Sequence, residues 1–150
     1  MKESIGLTVT INIMIIFIIV AFVFVTGILS YTKAFKAASL IVKSLEKYEG
    51  YNSLAYNQIN TNLSALSYIH GDSAKCSSTK SATIGEGKLE SLNNSEHFAY
   101  CIYKFEEDGD EKHYSYGVVT YMTIDFNMFN VKLKLPIYAR TSRIYRFPNT

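Results

Sequence analysis

Side chains able to do chemistry are few in this 150-residue chain and stand far apart. His70, His97 and His113 fall in expected loops and strand ends, without the paired spacing that holds a metal ion. The acidic run EEDGDE at 106–111 lacks the D-x-D-x-D-G order of a calcium loop and reads as a solvated hairpin tip. Gly85-Glu86-Gly87 is too short to cradle a phosphate and precedes no clear strand-to-helix turn. Neither G-x-S-x-G nor H-E-x-x-H occurs, and neither cysteine has an obvious activating histidine. Asn62-Leu-Ser and Asn93-Asn-Ser fit the glycosylation pattern, which matters only in a eukaryotic secretory pathway. The net charge of +2 comes without a dense Lys/Arg cluster, so nucleic acid is not an expected partner. No catalytic, metal or cofactor site and no small-molecule substrate is evident, and an enzyme is not expected.

Cys76 and Cys101 are the two cysteines. In an oxidising compartment they would form one disulfide, closing a loop of about 25 residues worth roughly 3–4 kcal/mol in the chain-entropy model. A pair of reduced core cysteines is the alternative. Residues 70–96 are small, polar and rich in glycine. They read as a long loop, with room for one short strand, that such a bridge would tie down.

The elements that must position these groups begin with an apolar run. Sixteen of the nineteen residues at 11–29 are apolar, and no charge occurs between Glu3 and Lys33. About 20 residues at 1.5 Å each cross a hydrocarbon core of roughly 30 Å. A signal peptide is the rival reading, but its apolar region is typically about 7–15 residues and ends at a small-x-small site. This run is longer, and its far end, Gly27-Ile-Leu-Ser-Tyr-Thr-Lys33, offers no convincing site. The run reads as a retained anchor in a lipid bilayer.

The helix is expected to continue as a spine. Ile28, Tyr31, Phe35, Ala38, Val42 and Leu45 follow at steps of 3, 4, 3, 4 and 3, one stripe along a helix, with Lys33, Lys36, Lys43 and Lys47 off it. The first strong break is Gly50. The outer half of this helix needs a partner surface: its own domain, a neighbouring subunit, or both. Three regions result: a transmembrane segment at 1–30, a helical extension at 31–49, and a small α+β domain at 50–150.

Within that domain, Leu54, Ile59, Leu63 and Leu66 suit a short amphipathic helix. The period then changes to two. Residues 98–105, FAYCIYKF, read as a strand, and Asp108-Gly109 as a hairpin turn. Residues 114–126 place Tyr116, Val118, Met122, Ile124 and Phe126 on one face. Residues 131–137 put Val131, Leu133, Leu135 and Ile137 inward and Lys132 and Lys134 outward, with Pro136 suited to an edge. A last strand carries Arg140, Arg143 and Arg146. The expected fold is α+β: a long N-terminal helix, a short second helix and an antiparallel sheet of three or four strands.

This layout resembles the type IV pilin-like proteins, and within them the TadE-like pseudopilins of tight-adherence secretion systems. The closing stretch VVTYMTIDFNMFNVKLKLPIYARTSRIYRF is similar to the TadE ending, in which an alternating strand, a short hydrophobic crossover and a final basic strand follow one another. The resemblance implies a structural role in a bacterial pilus-like envelope machine. Members usually carry a Glu after a processing-site Gly; here the fifth residue after Gly6 is Ile11, and Glu3 precedes Gly6. Glu3 could fill the acidic role only in an uncleaved chain.

Two signals oppose each other on orientation. Four lysines follow the span by residue 47 and only Lys2 precedes it, which favours a cytoplasmic C-terminal domain. The cysteine pair and the pilin-like layout favour the other side, and the domain is expected outside the cytoplasm on a single-pass cell-membrane protein. The leading expectation is a non-enzymatic subunit, a minor pilin or pseudopilin, forming homo- or hetero-oligomers through its N-terminal helix. The alternatives are a tethered binding module whose helix is only an anchor, and a secreted domain released by cleavage.

Overall fold

A computed structural model describes residues 2–68, 76, 88–89, 98–107, 110–126 and 131–146. Helix α1 spans Lys2–Lys47 without a break. The large apolar side chains from Leu7 to Phe22 are exposed, and the C-terminal half of the helix lies on the sheet of the domain. Thr10, Thr26 and Thr32 each return their hydroxyls to the carbonyl four residues back, so these polar side chains are satisfied within the helix itself.

Helix α1 stops in two consecutive backbone bonds. Gly50 N donates to Leu45 O at 2.9 Å and Glu49 N to Glu46 O at 3.3 Å. This is a Schellman ending, with Glu49 in the left-handed region at φ 52° and Gly50 at φ 139°. Asn52 then serves both helices: its amide donates to Tyr48 O, and its carbonyl oxygen accepts from Ala55 N at the start of α2, Ser53–Ala65. Helix α2 ends as α1 does, with Tyr68 N on Leu63 O, Ser67 N on Ser64 O and Ser67 at φ 51°. Tyr68 and Leu63, joined by that bond, are both buried in the core. The face α2 buries is Ala55, Ile59 and Leu63, whereas Leu54, expected inward, is exposed. The Ala55 methyl lets this turn sit close, and Leu54 falls one position off the stripe.

The sheet holds three long strands and two short ones: β1 Lys88–Leu89, β2 Tyr100–Glu107, β3 Asp110–Phe126, β4 Val131–Arg140 and β5 Ile144–Tyr145. The order is β1-β2-β3-β4, all antiparallel, with β5 also on β3. This is the expected α+β fold, and β1 is the short strand allowed for within the long loop. The pairing Glu107↔Asp110 leaves two residues between the strands; Asp108 and Gly109, where the turn was expected, lie outside the described residues. The expected last strand is only β5. It meets β3 at His113 and Tyr114, whereas β4 meets β3 from Gly117 onward, so the two form one interrupted edge. Thr141 fills the interruption, its N donating to Tyr116 O and its Oγ1 accepting from Tyr116 N.

Both faces of the sheet bury apolar side chains. Tyr100, Ile102, Tyr116 and Val118 face the helices, while Cys101, Tyr103, Phe105 and Val119 form a second cluster on the other face. The stretch 98–105 is accordingly apolar almost throughout instead of alternating, as a strand covered on both sides should be. On β4 the alternation holds, but the cover does not. Leu133 and Leu135 pair with Ile124 and Met122 on the helix-side face, yet both are exposed, and only Ile137 packs on the core. Helix α1 lies mainly over β3, leaving the part of β4 around Leu133 and Leu135 overhanging.

The left-handed residues set a test. Ser67→Gly should raise the denaturant midpoint by an amount equivalent to about 0.5–1 kcal/mol, because glycine avoids the steric cost of this conformation. Gly50→Ala should lower it, since a Cβ there would stand 3.2 Å from the Tyr116 hydroxyl at a φ that disfavours side chains. Unchanged midpoints for both would show that these turns are not held as described.

Candidate functional site

The surface with most to decide is the circumference of α1. Toward the sheet it presents the small residues Gly27, Ser30, Ala34 and Ala37, at steps of 3, 4 and 3, followed four residues on by the buried Ile41. Small side chains bring backbones close enough for direct bonds, and Thr120 Oγ1 donates to Ala34 O at 3.0 Å while Ser30 Oγ donates to Thr123 O at 2.6 Å. A Cβ on Gly27 would meet Ile124 Cδ1 at 3.8 Å. Helix and strand thus run side by side in opposite directions, with β3 heading toward the N-terminal, apolar part of α1.

The expected assembly stripe divides on this geometry. Ala38, Val42 and Leu45 pack into the chain's own core, whereas Ile28, Tyr31 and Phe35 are exposed on the flank beside that contact. Tyr31 and Phe35 stack on each other, with ring centroids 6.2 Å apart. Hydrophobicity marks Val42 and Leu45, which do pack into the core, but passes over Gly27, Ser30 and Ala34, because Gly, Ser and Ala score weakly; the regular 3-4 spacing of these small residues is the signal for them. Glu3 lies in the first turn of α1, and its side chain is outside the described residues.

Cys76 and Cys101 form a disulfide, with Cα atoms 5.7 Å apart. It sits on the sheet face away from α1, beside Leu89 and Tyr121. His113 packs edge-on against Tyr145; His70 and His97, and Gly85 to Gly87, lie outside the described residues. Among the described residues no three His, Cys, Asp or Glu side chains gather in a way that could hold a metal ion.

Arg140 and Arg146 are used locally. Arg140 donates to Ser115 Oγ and lies 4.8 Å over the Phe105 ring. Arg146 and Lys104 both bind Glu106, flanking the Tyr114 ring, and Lys104 foremost holds the Glu106 carboxyl below the usual carboxylate range. This is an exposed cluster of small energetic weight.

Two tyrosines mark opposite solutions to burying a hydroxyl. Beyond the last β2–β3 pair, Tyr100↔Thr120, the Tyr68 hydroxyl stands between the strands. It accepts from Tyr121 N at 2.8 Å and donates to Ala99 O at 2.9 Å. A side-chain hydroxyl replaces one rung of the ladder. Burial pushes its pKa up to about 12. Tyr100 is as deeply buried, but its hydroxyl approaches Tyr51 without reaching hydrogen-bond geometry, and burial drives its pKa far up. Next to Tyr68 a cavity of about 320 Å³ opens between Ser30, Lys33, Tyr121 and Thr123.

These tyrosines predict contrasting mutants. Tyr68→Phe strands the Tyr121 N–H and the Ala99 carbonyl and should cost about 1–3 kcal/mol, whereas Tyr100→Phe removes an unpartnered hydroxyl and should be neutral or stabilising. Both acids titrate higher folded than unfolded, so the stability they confer is complete below pH 10. It should fall as pH rises from there, by up to about 1.4 kcal/mol per pH unit for each group. Among the twelve tyrosines, the tyrosinate absorbance of the parent chain minus that of Tyr68→Phe, and minus that of Tyr100→Phe, isolates each group while circular dichroism follows the fold; a difference that titrates near pH 10 in the folded protein would contradict the raised pKa of that group.

No protein-family model, curated protein or solved structure matches the chain.

Proposed function

We propose that the chain is a single-pass membrane subunit of a pilus-like or tight-adherence secretion assembly, non-enzymatic, with its domain outside the cytoplasm. The observation that carries this reading is the unequal use of α1. One helix, apolar enough to cross a bilayer at its N-terminal end, runs on into the domain. The domain covers one face of its C-terminal half and leaves Ile28, Tyr31 and Phe35 bare on the flank. Inside a bilayer helix contact depends on close packing; outside it, burying a side chain such as Phe35 is worth roughly 1.5–3 kcal/mol. The bare flank is therefore where a neighbouring subunit gains most. The disulfide supports an oxidising compartment for the domain. The long helix laid on an antiparallel sheet agrees with the pilin-like layout that the sequence suggested.

One observation favours the second reading, a tethered binding module. Ala38, Val42 and Leu45 are consumed by the chain's own core and cannot serve a neighbour. Single cysteines along α1, crosslinked in native membranes, separate the two. An assembly subunit should crosslink at positions 28, 31 and 35 and not at 34, 38 or 41. Absence of crosslinks along the whole flank would leave the tethered module. A reporter active only outside the cytoplasm, fused after residue 150, should be active; activity confined to a cytoplasmic reporter would reverse the orientation.

A further inference from the structure

We infer that the two-stranded part of β3 and β4, at Leu133 and Leu135, is a membrane-contacting finger, seated at the boundary between lipid headgroups and acyl chains beside α1. The inference rests on the reading of α1 as a membrane span.

The first ground is level. Ser30 bonds to Thr123, and Gly27 faces Ile124, so the strands reach the height of the last apolar residues of α1, which end at Leu29. Residues 7–29 of that helix measure about 34 Å, slightly more than the roughly 30 Å hydrocarbon core. Leu133, paired with Ile124, therefore stands level with Gly27, inside the apolar run and not above it. The strands continue past this pair to Phe126 and Val131 in the same direction, about 7 Å further along.

The second ground is architecture. Strand β2 accompanies β3 only as far as Thr120, so from Tyr121 onward β3 and β4 form a two-stranded ribbon. Such a ribbon is marginal in water on its own. At its base Met122 packs on the helix-side core and Tyr121 on the second cluster, with Tyr68 bonded at Tyr121; beyond them Thr123 and Ile124 meet α1 at Ser30 and Gly27.

The third ground is chemistry. Leu133 and Leu135 are 45% and 49% exposed on the helix-side face. They lie on the same flank of α1 as Ile28 and Phe35: Ile28 is eighteen residues before Glu46, about five turns, and Glu46 accepts from Ser142 just past β4. Leu133 and Leu135 on the strand thus adjoin Ile28 on the helix as one uncovered apolar surface level with the last apolar residues of α1, while Tyr31 and Phe35 rise about 5–10 Å above Ile28. Lys134 alternates with the leucines, and Lys33 stands one turn above Leu29 on the helix. Cations at this height meet lipid phosphates, and an aromatic such as Tyr31 suits the same layer.

The chain contains no tryptophan, so single-tryptophan variants of the full-length protein report one position each. In vesicles of mixed zwitterionic and anionic lipid, brominated either high or low on the acyl chain, Phe22→Trp reports the span, Leu133→Trp the finger, and Tyr145→Trp the far end of the domain. Leu135→Trp repeats the measurement should Leu133→Trp fold poorly. High bromines should quench position 133 roughly two-fold and leave 145 unchanged, with low bromines acting on position 22. Quenching at 22 with red, unquenched emission at both 133 and 135 would overturn the finger while leaving the span. Blue, unquenched emission at 133 and 135 would overturn it in favour of a second copy covering the leucines. No quenching at 22 would remove the span itself, and the finger with it.

Discussion

The close seam between α1 and β3 is the constraint on which the rest of the structure depends. A helix packed on a sheet is normally held off by side chains; here Ala34 and Ser30 let the strand's own groups reach across, with Thr120 donating to a helix carbonyl and Ser30 to a strand carbonyl. Those two bonds, one helical turn apart, fix the rotation and the height of α1 over the sheet together. A bulky residue at 34 or 37 would push the helix away and break both. With the helix so placed, β3 becomes the axis of the domain: β2 and β4 pair along its two sides, β5 extends the β4 line, and α2 folds back against α1.

The turn between the helices keeps that arrangement compact. Tyr114 and Tyr116 come up from β3 to the end of α1, the first donating to Glu49 O and the second accepting from Tyr51 N. Gly50 sits under them, at a φ of 139° that disfavours side chains, where a Cβ would stand 3.2 Å from the Tyr116 hydroxyl. The helix end, the glycine and the two tyrosines therefore form one fitted corner at the C-terminal end of α1, opposite the small-residue contact at Gly27 and Ser30. Between the two, the core is filled by Ile41, Leu45, Ile59, Leu63, Ile102 and Val118.

Much of this was legible in the sequence where a pattern is strong. The apolar run, the stop at Gly50, the alternation in 131–137 and the change of period after residue 97 each answer to one physical rule, and the elements follow. On α1 hydrophobicity marks only part of the contact face, Val42 and Leu45. The helix uses the lack of bulk at Gly27, Ser30 and Ala34, which reads as weakness on a hydrophobic scale. Leu54 and Ala55 were exchanged for the same reason. Leu133 and Leu135 obey the strand rule and lie on the helix side, but a period of two says which face a residue takes and nothing about whether another element covers it. The Tyr68 bridge joins positions 53 residues apart and leaves no local trace.

Pro136 has a consequence for how copies of this chain could meet. Strand β4 is the outer strand of the sheet, and its ladder to β3 runs through Pro136, opposite Tyr121. A proline inside an intact ladder must turn its nitrogen away from its partner, toward the open side. An incoming strand would find a missing donor and a protruding ring at mid-length, and a gap at Thr141 beyond it. Continuous sheets across molecules are thereby discouraged at this edge, as open edges generally require. Any regular stacking of subunits is left to side-chain surfaces, which can slide, tilt and part again in a way that a shared backbone ladder cannot.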